Sequence, residues 1–590
     1  MLRPLVRQVV LALVLTGCAS DRHDVASSAT TGGGGSAGKG AGGSAMGAAS
    51  GNANTGGSPG SGAGGMPSAG SPGGGSAGAP VDTSGRPSVA GYVDPIIGTL
   101  NYSNTFPGAV VPWGMASPSP HNQTGWVPAG YRYQAGDIHA FANSHISGAG
   151  CPDLGSVWIM PYTGDVPTDP MAAASVGSGE QAQAGYYAVT LDKYAVVAEM
   201  TATERTALYR FTFPARSGDA EIVMDAARNQ SSGSSGTIAI VSDTEVSGVN
   251  HSGQFCYGKW NEDNPVYFFA RFSKPASAKG TIDGSGLSAN LTQSGGSAGA
   301  YFRYSTTDGE ALEVRIGLSY VSTENAKENL EAESASLAFD TAKEQAFDAW
   351  DEKLKRIIVE GGSEDDKTIF YTALYHALLE PNVASDVNGA HPSMEQPGMS
   401  ATSSRTEYTI YSLWDTYRTV HPLLTLVYPE IQADMVETMV SMAKESGYLP
   451  KWELDRNESM VMVGDPAAIV IADSYLKGVT NFDVDTAYSV MVKQATQDNP
   501  VRPEIGDYQT LGFIPADNPS SNYLPTVPPF CWGAVSTTLE YALADWNIAE
   551  LAAALGKTDD AATFHDRAKA YEHFYDSGTG FLRPKNADGS

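Results

Sequence analysis

The sequence predicts a multidomain β + α chain, an antiparallel β-sandwich leading into an array of long antiparallel helices. Three observations carry this. From Val93 to about Ser322, short β-forming runs recur with Gly, Ser and Asp between them. After about Thr323 the apolar spacing lengthens to that of amphipathic helices. With 590 residues and 42% hydrophobic content, the chain can bury at least two cores.

The elements follow in order. Arg3 and Arg7 precede the apolar run Val9 to Leu15, which is too short to span a bilayer and reads as a signal sequence over residues 1–18. Leu15-Thr16-Gly17-Cys18 resembles a bacterial lipobox, in which Cys18 would be diacylated and become the new N-terminus. Ala19 and Ser20 in place of Asp favour an outer-membrane or cell-surface lipoprotein. Residues 19–87 are Gly/Ser-rich, as in Gly73-Gly74-Gly75-Ser76, and read as a disordered tether. The sandwich is expected over 88–322. Leu208 to Phe213 and Leu312 to Leu318 alternate cleanly, Tyr186 to Leu191 and Ala195 to Met200 are strand-like, and Val266 to Phe272 is an apolar run. A helical connector is expected over 323–362, from patterns at Asn325 to Ala338 and Thr341 to Ile358. Residues 363–590 should hold the helices Lys367–Leu379, Tyr411–Leu426, Pro429–Lys444, Asp465–Lys477, Val484–Gln497 and 534–555. In the last of these Val535, Leu539, Leu543, Trp546 and Ala549 lie near one face, and Gly556 closes it. Thr558 then caps a helix lined by Ala561, Phe564, Ala568 and Tyr571.

Composition excludes several partners. The formal net charge of −29 repels nucleic acid and anionic lipid, so membrane contact is expected through the lipid anchor alone. Cys151, Cys256 and Cys531 show no CxxC spacing. They argue against a zinc site, allow at most one disulfide, and read as small buried residues.

The densest chemistry lies in Tyr411-Ser412-Leu413-Trp414-Asp415-Thr416-Tyr417-Arg418-Thr419-Val420-His421-Pro422. A ring such as Trp414 covers the apolar face of a pyranose, and a carboxylate such as Asp415 accepts hydrogen bonds from its hydroxyls. The same run also reads as a buried aromatic cluster with a capping Asp. Trp126 offers a second ring from the sandwich side, or an aromatic packed at the domain interface. Glu453, in Pro450-Lys451-Trp452-Glu453, ranks after Asp415 as a site residue. His145 reads as a structural hydrogen-bonding residue, Asp465 as a helix N-cap, and Glu540 as a buried partner.

An ordered series of motifs resembles glycoside hydrolase family 92, the calcium-dependent exo-α-mannosidases. It includes Val93-Asp94-Pro95-Ile96-Ile97-Gly98-Thr99, Asn104-Thr105-Phe106-Pro107-Gly108, Ser144-His145-Ile146-Ser147-Gly148 and Ile316-Gly317-Leu318-Ser319-Tyr320. It continues with Phe370-Tyr371-Thr372-Ala373-Leu374-Tyr375-His376, Ser412-Leu413-Trp414-Asp415-Thr416-Tyr417-Arg418, Leu449-Pro450-Lys451-Trp452-Glu453 and Thr538-Leu539-Glu540-Tyr541. The resemblance implies a sandwich joined to an (α/α)6 barrel, with the site at their interface. It implies inverting removal of terminal mannose, with α-1,2-linked glycans as expected substrates, and Trp414 and Asp415 as mannose-binding positions. Calcium would grip the mannose hydroxyls. The family's acid, base and calcium-ligand motifs are expected beyond Ser590, so the catalytic residues are not named here. The barrel is accordingly expected to be incomplete and the 590-residue chain alone inactive. Two rivals remain. One is another sandwich plus (α/α)6 glycosidase or phosphorylase with Glu453 as acid; the other is a non-catalytic carbohydrate-binding lipoprotein.

Overall fold

The computed structural model describes residues 83–590 except 102–103, 126, 170, 215–219, 232–234, 254, 258–262 and 519–532. The signal sequence with Cys18, nearly all of the tether, Trp126 and Cys531 lie outside the described residues.

Two antiparallel sheets pack face to face. One has seven strands in the order Ser119–His121, Ala140–Ala142, Trp158–Thr163, Ala220–Asp225, Gly299–Tyr304, Ala278–Ile282 and Leu287–Ser288. The other has nine, in the order Thr292–Gly295, Ser235–Ile240, Glu245–Ser252, Asn264–Phe272, Ala311–Ser319, Thr206–Thr212, Val196–Ala202, Tyr186–Leu191 and Gly177–Gln183. Alternation decides which side chains enter the core. Phe268 and Ala270 join Tyr209, Phe211, Val314 and Ile316 against Ile222, Met224 and Phe302 of the facing sheet. Phe269, one residue out of phase, points to the outer face.

That outer face is covered by the two connector helices. Ala326 and Leu330 of α1 (Thr323–Glu333) pack on Phe269. Phe339 and Ala342 of α2 (Phe339–Leu354) pack on Tyr186, Ala188 and Leu208. The α1 backbone comes so close that a Cβ on Gly317 would lie 2.1 Å from the Ala326 carbonyl oxygen.

The helical part begins at α3 (Glu364–Ala377), whose start is fixed by a capping box between Ser363 and Asp366. The expected helix over 411–426 is broken in the structure. Tyr411–Ser412 pairs as a strand with Trp452–Glu453, α4 is the single turn Leu413–Thr416, and α5 is Val420–Val427. Pro422 explains the restart: it has no N–H to donate and sits in the first turn of α5, where that donor would be unused. Then follow α6 (Pro429–Ser446), α7 (Pro466–Leu476), α8 (Val484–Thr496), α9 (Ile505–Leu511), α10 (Ala534–Ala554) and α11 (Thr558–Arg567). The short α9 is not anticipated by the sequence reading. In α7, Ala467, Ala468, Ile469, Val470, Ile471 and Ala472 are all buried, as expected of a helix enclosed by others.

Asp465 does not cap α7 as expected; its side chain makes no cap bond. It is fully buried and accepts hydrogen bonds from Gln494 at 2.8 Å and Arg502 at 2.7 Å. Arg502 also donates to Asp545 of α10 at 2.7 Å. A charge on the buried side of a helix start is tolerated only when paired in this way.

The stretch before the first strand stitches the domains together. Val89, Val93, Phe106, Val110 and Trp113 belong to the helical core, and Trp350 of α2 donates to the Val110 carbonyl at 2.6 Å. In return, Trp452, Leu454 and Val461 enter the sandwich core, with the Trp452 ring stacked 4.2 Å from Phe255.

Cys151 and Cys256 form a disulfide, with Cα atoms 5.3 Å apart and a sequence separation of 105. The sequence allowed one such disulfide, but the reading of both as small buried residues is corrected: each is only half-buried.

Candidate active site

A cleft of about 310 Å³ opens where the stitching segment meets the first helices. Gly98, Asn104, Thr105, Ser147 and Gly148 line it from one side. From the helical side come His376 and Ala377 of α3, Glu380, Ile410, Ser412, Asp415 and Thr416 of α4, and Val420 of α5. A volume at the small end of ligand sites suits one sugar ring rather than a long chain.

Asp415 stands at the cleft as an exposed side chain, and the Ser412 hydroxyl donates to its Oδ2 at 2.5 Å. That bond orients the carboxylate and leaves Oδ1 to accept from a ligand.

Trp414 is not among the cleft-lining residues. On α4 it is Asp415 and Thr416 that face the cleft. The Arg418 guanidinium lies 4.8 Å from the Trp414 ring centroid and 4.6 Å from that of Tyr417. Arg418 is itself held by Glu540 at 2.9 Å, and Glu540 also accepts from the Tyr417 hydroxyl at 3.1 Å. Trp414 therefore acts as a stacking partner for Arg418, and Glu540 is a half-buried ion-pair partner of Arg418 rather than the buried partner expected.

Glu453 also misses the cleft. It is fully buried, and its Oε1 accepts from Thr409 Oγ1 at 2.8 Å and from the Arg456 amide at 2.5 Å. Burial pushes its carboxyl up to about 7, against the pull of the Arg456 charge. The chain turns between the two places: Ile410, with φ of 65°, and Ser412 face the cleft, while Thr409 bonds Glu453.

His145 is buried, and its Nδ1 lies 2.7 Å from the Ser117 carbonyl, which makes Nδ1 the donor. Burial lowers its pKa to about 4, so the ring is neutral and structural, as expected. The disulfide lies a few residues beyond Ser147 and Gly148 and anchors that wall of the cleft to the turn at Phe255–Tyr257.

Two cleft residues escaped the sequence reading, His376 and Glu380. His376 is neutral, its pKa lowered to about 4 by burial, and its Nε2 has no partner among the described residues. The Ser147 amide donates to Glu380 Oε1 at 2.5 Å. His376 sat inside a quoted motif, while Glu380 carried only the signal of a residue before Pro381 at a helix end.

Among the described residues, no group of three or more His, Cys, Asp or Glu could hold a metal ion; the calcium ligands that the resemblance implies are expected beyond Ser590.

A sandwich stitched to a helical domain, with a sugar-sized carboxylate cleft at the junction, is the architecture of a carbohydrate-active protein. The chain belongs to glycosyl hydrolase family 92: the family's N-terminal domain matches residues 92–319 and its catalytic domain residues 325–590. A family GH92 α-mannosidase from Bacteroides thetaiotaomicron is similar at 30% identity and a TM-score of 0.79, covering 85% of this chain and 68% of its own. A family GH92 inverting mannosidase from Bacteroides thetaiotaomicron VPI-5482 is similar at 28% identity and a TM-score of 0.76, covering 85% and 67%. A protein of Arthroderma benhamiae named an uncharacterized secreted glycosidase is 26% identical over 558 residues, 85% of this chain and 66% of that relative. The chain thus spans about two thirds of the length of these relatives. Membership overturns the rival assignment to a different sandwich plus (α/α)6 family. Among the described residues no helix is long and apolar enough to cross a membrane.

Proposed function

We propose that the whole protein is a surface-anchored exo-α-mannosidase that removes terminal mannose, α-1,2-linked in its preferred substrates, by inverting hydrolysis and with calcium dependence. The observation that carries the reading is Asp415, which stands in a family motif and opens into a single-sugar cleft at the domain junction. A cleft of about 310 Å³ suits a single terminal sugar, as exo action requires. The inverting relative from Bacteroides supports the stereochemistry.

In this reading the sugar enters with its hydroxyls against Asp415. Ser412 fixes the carboxylate, so binding costs little side-chain ordering. Inversion needs one carboxyl to protonate the leaving oxygen and another to activate water, about 6.5–9.5 Å apart. Neither role is assigned to a described residue. Calcium, when bound, would polarise mannose hydroxyls.

The test is NMR of the first-formed anomer released from α-mannobioses by the whole protein, with and without chelator. Release of β-mannose from the α-1,2 linkage first, abolished by chelation, is expected. Retained configuration, or full activity in excess chelator, would overturn the corresponding part of the reading.

A further inference from the structure

We propose that Glu380 is a sugar-binding residue of this cleft, donating a hydrogen bond from a neutral carboxyl group to a hydroxyl of the terminal sugar. This rests on the proposed function for the identity of the sugar.

Glu380 follows α3 and lines the cleft together with His376 and Asp415. Part of its surface is open to the cleft, while the carboxyl is otherwise set among protein atoms. The Ser147 amide donates to its Oε1, which leaves Oε2 for a ligand. The titratable groups around it are Tyr320, whose hydroxyl feels its charge, and the cleft residues His376 and Asp415. None of them is a cation. Burial therefore raises the Glu380 carboxyl well above the usual range, with only the Ser147 amide opposing. That shift favours the neutral form, which carries an O–H donor.

The cleft then holds complementary chemistry. Asp415 offers a carboxylate that accepts and Glu380 a carboxyl that donates, beside the neutral imidazole of His376. A sugar hydroxyl both donates and accepts, so this set recognises an uncharged polyol. It disfavours an anionic sugar, which would meet Asp415, and an apolar one, which would leave buried polar groups unpaired.

The sign of the pH effect follows. The donor exists below the raised pKa of Glu380 and is lost as pH climbs through it, so affinity falls toward alkaline pH.

The experiment is calorimetric titration of methyl α-mannoside into the whole protein, as wild type, Glu380→Gln and Glu380→Met, between pH 5 and 9, with parallel melting curves. Gln keeps an acceptor for the Ser147 amide and offers an N–H donor that does not titrate. Glu380→Gln is expected within about threefold of wild type at pH 5 and flat across the range, and wild type weakens as pH rises. Glu380→Met, similar in volume, is expected to bind about tenfold more weakly while still melting cooperatively. Wild-type affinity in the Met variant, or one pH profile shared by wild type and Gln, overturns the proposal. Should Met fail to fold, the Gln profile decides alone. Binding of methyl α-glucoside instead of the mannoside would sink the mannosidase reading, and the same comparison on that sugar would still decide Glu380. Wild type binding neither sugar overturns both.

Discussion

At the scale of single residues, position relative to the cleft separates the acidic candidates. Asp415 is exposed, touches Ser412 and supports little else in the fold, whereas Glu453 is enclosed by Thr409 and Arg456. Asp415→Ala in the whole protein should therefore cost activity far more than stability. Two charge-assisted hydrogen bonds to sugar hydroxyls, each about 1.5–3 kcal/mol, correspond to a loss of about a hundredfold or more in kcat/KM. Stability should change by less than about 0.5 kcal/mol, as for other exposed positions. Kinetics and melting curves measured side by side check this; a destabilised but fully active variant refutes the sugar-binding role.

At the scale of elements, the helical domain is held by a buried ionic joint as well as by apolar packing. Arg502 bridges Asp465 before α7 and Asp545 of α10, and all three are fully buried. The negative partners raise the Arg502 pKa further, against a large desolvation, so the cation persists. Arg502→Met removes the cation that Asp465 pairs with and leaves Asp545 with Arg567 alone, 2.8 Å away. It should cost about 3–5 kcal/mol, the usual loss when one partner of a buried pair is removed. Denaturant titration measures it. A loss below about 1 kcal/mol would mean that the joint reorganises or takes up water.

At the scale of the whole molecule, the net charge of −29 is spread over a protein proposed to work on neutral glycans outside the cell. Such charge favours solubility and disfavours anionic surfaces, so attachment to a membrane requires a device other than electrostatics. Cys18→Ser is expected to move the protein from the membrane fraction to the soluble fraction, because acylation would be lost with the thiol. Cell fractionation and metabolic labelling with a fatty-acid analogue read this out. Unchanged membrane recovery would point to another anchor.

Periodicity by itself determined the broad architecture. A spacing of two residues at 208–213 and 312–318 and a helical spacing after Thr323 are local properties, set by which side chains must leave water together, and they reappear as strands and helices. The motif series likewise placed Asp415 at the site. Tertiary structure alone decided what each polar residue does there. Trp414 and Asp415 are adjacent in sequence yet serve different neighbours, Arg418 for the ring and Ser412 with the cleft for the carboxylate. Glu453 ranked next after Asp415 in the sequence, but it lies fully buried on a short strand away from the cleft. Glu380, which carried almost no signal, came to the cleft through the end of α3 and the approach of Ser147, 233 residues away in sequence. The reason is physical: burial, and with it the protonation of an acid, depends on atoms brought together from distant parts of the chain, and no local pattern records them.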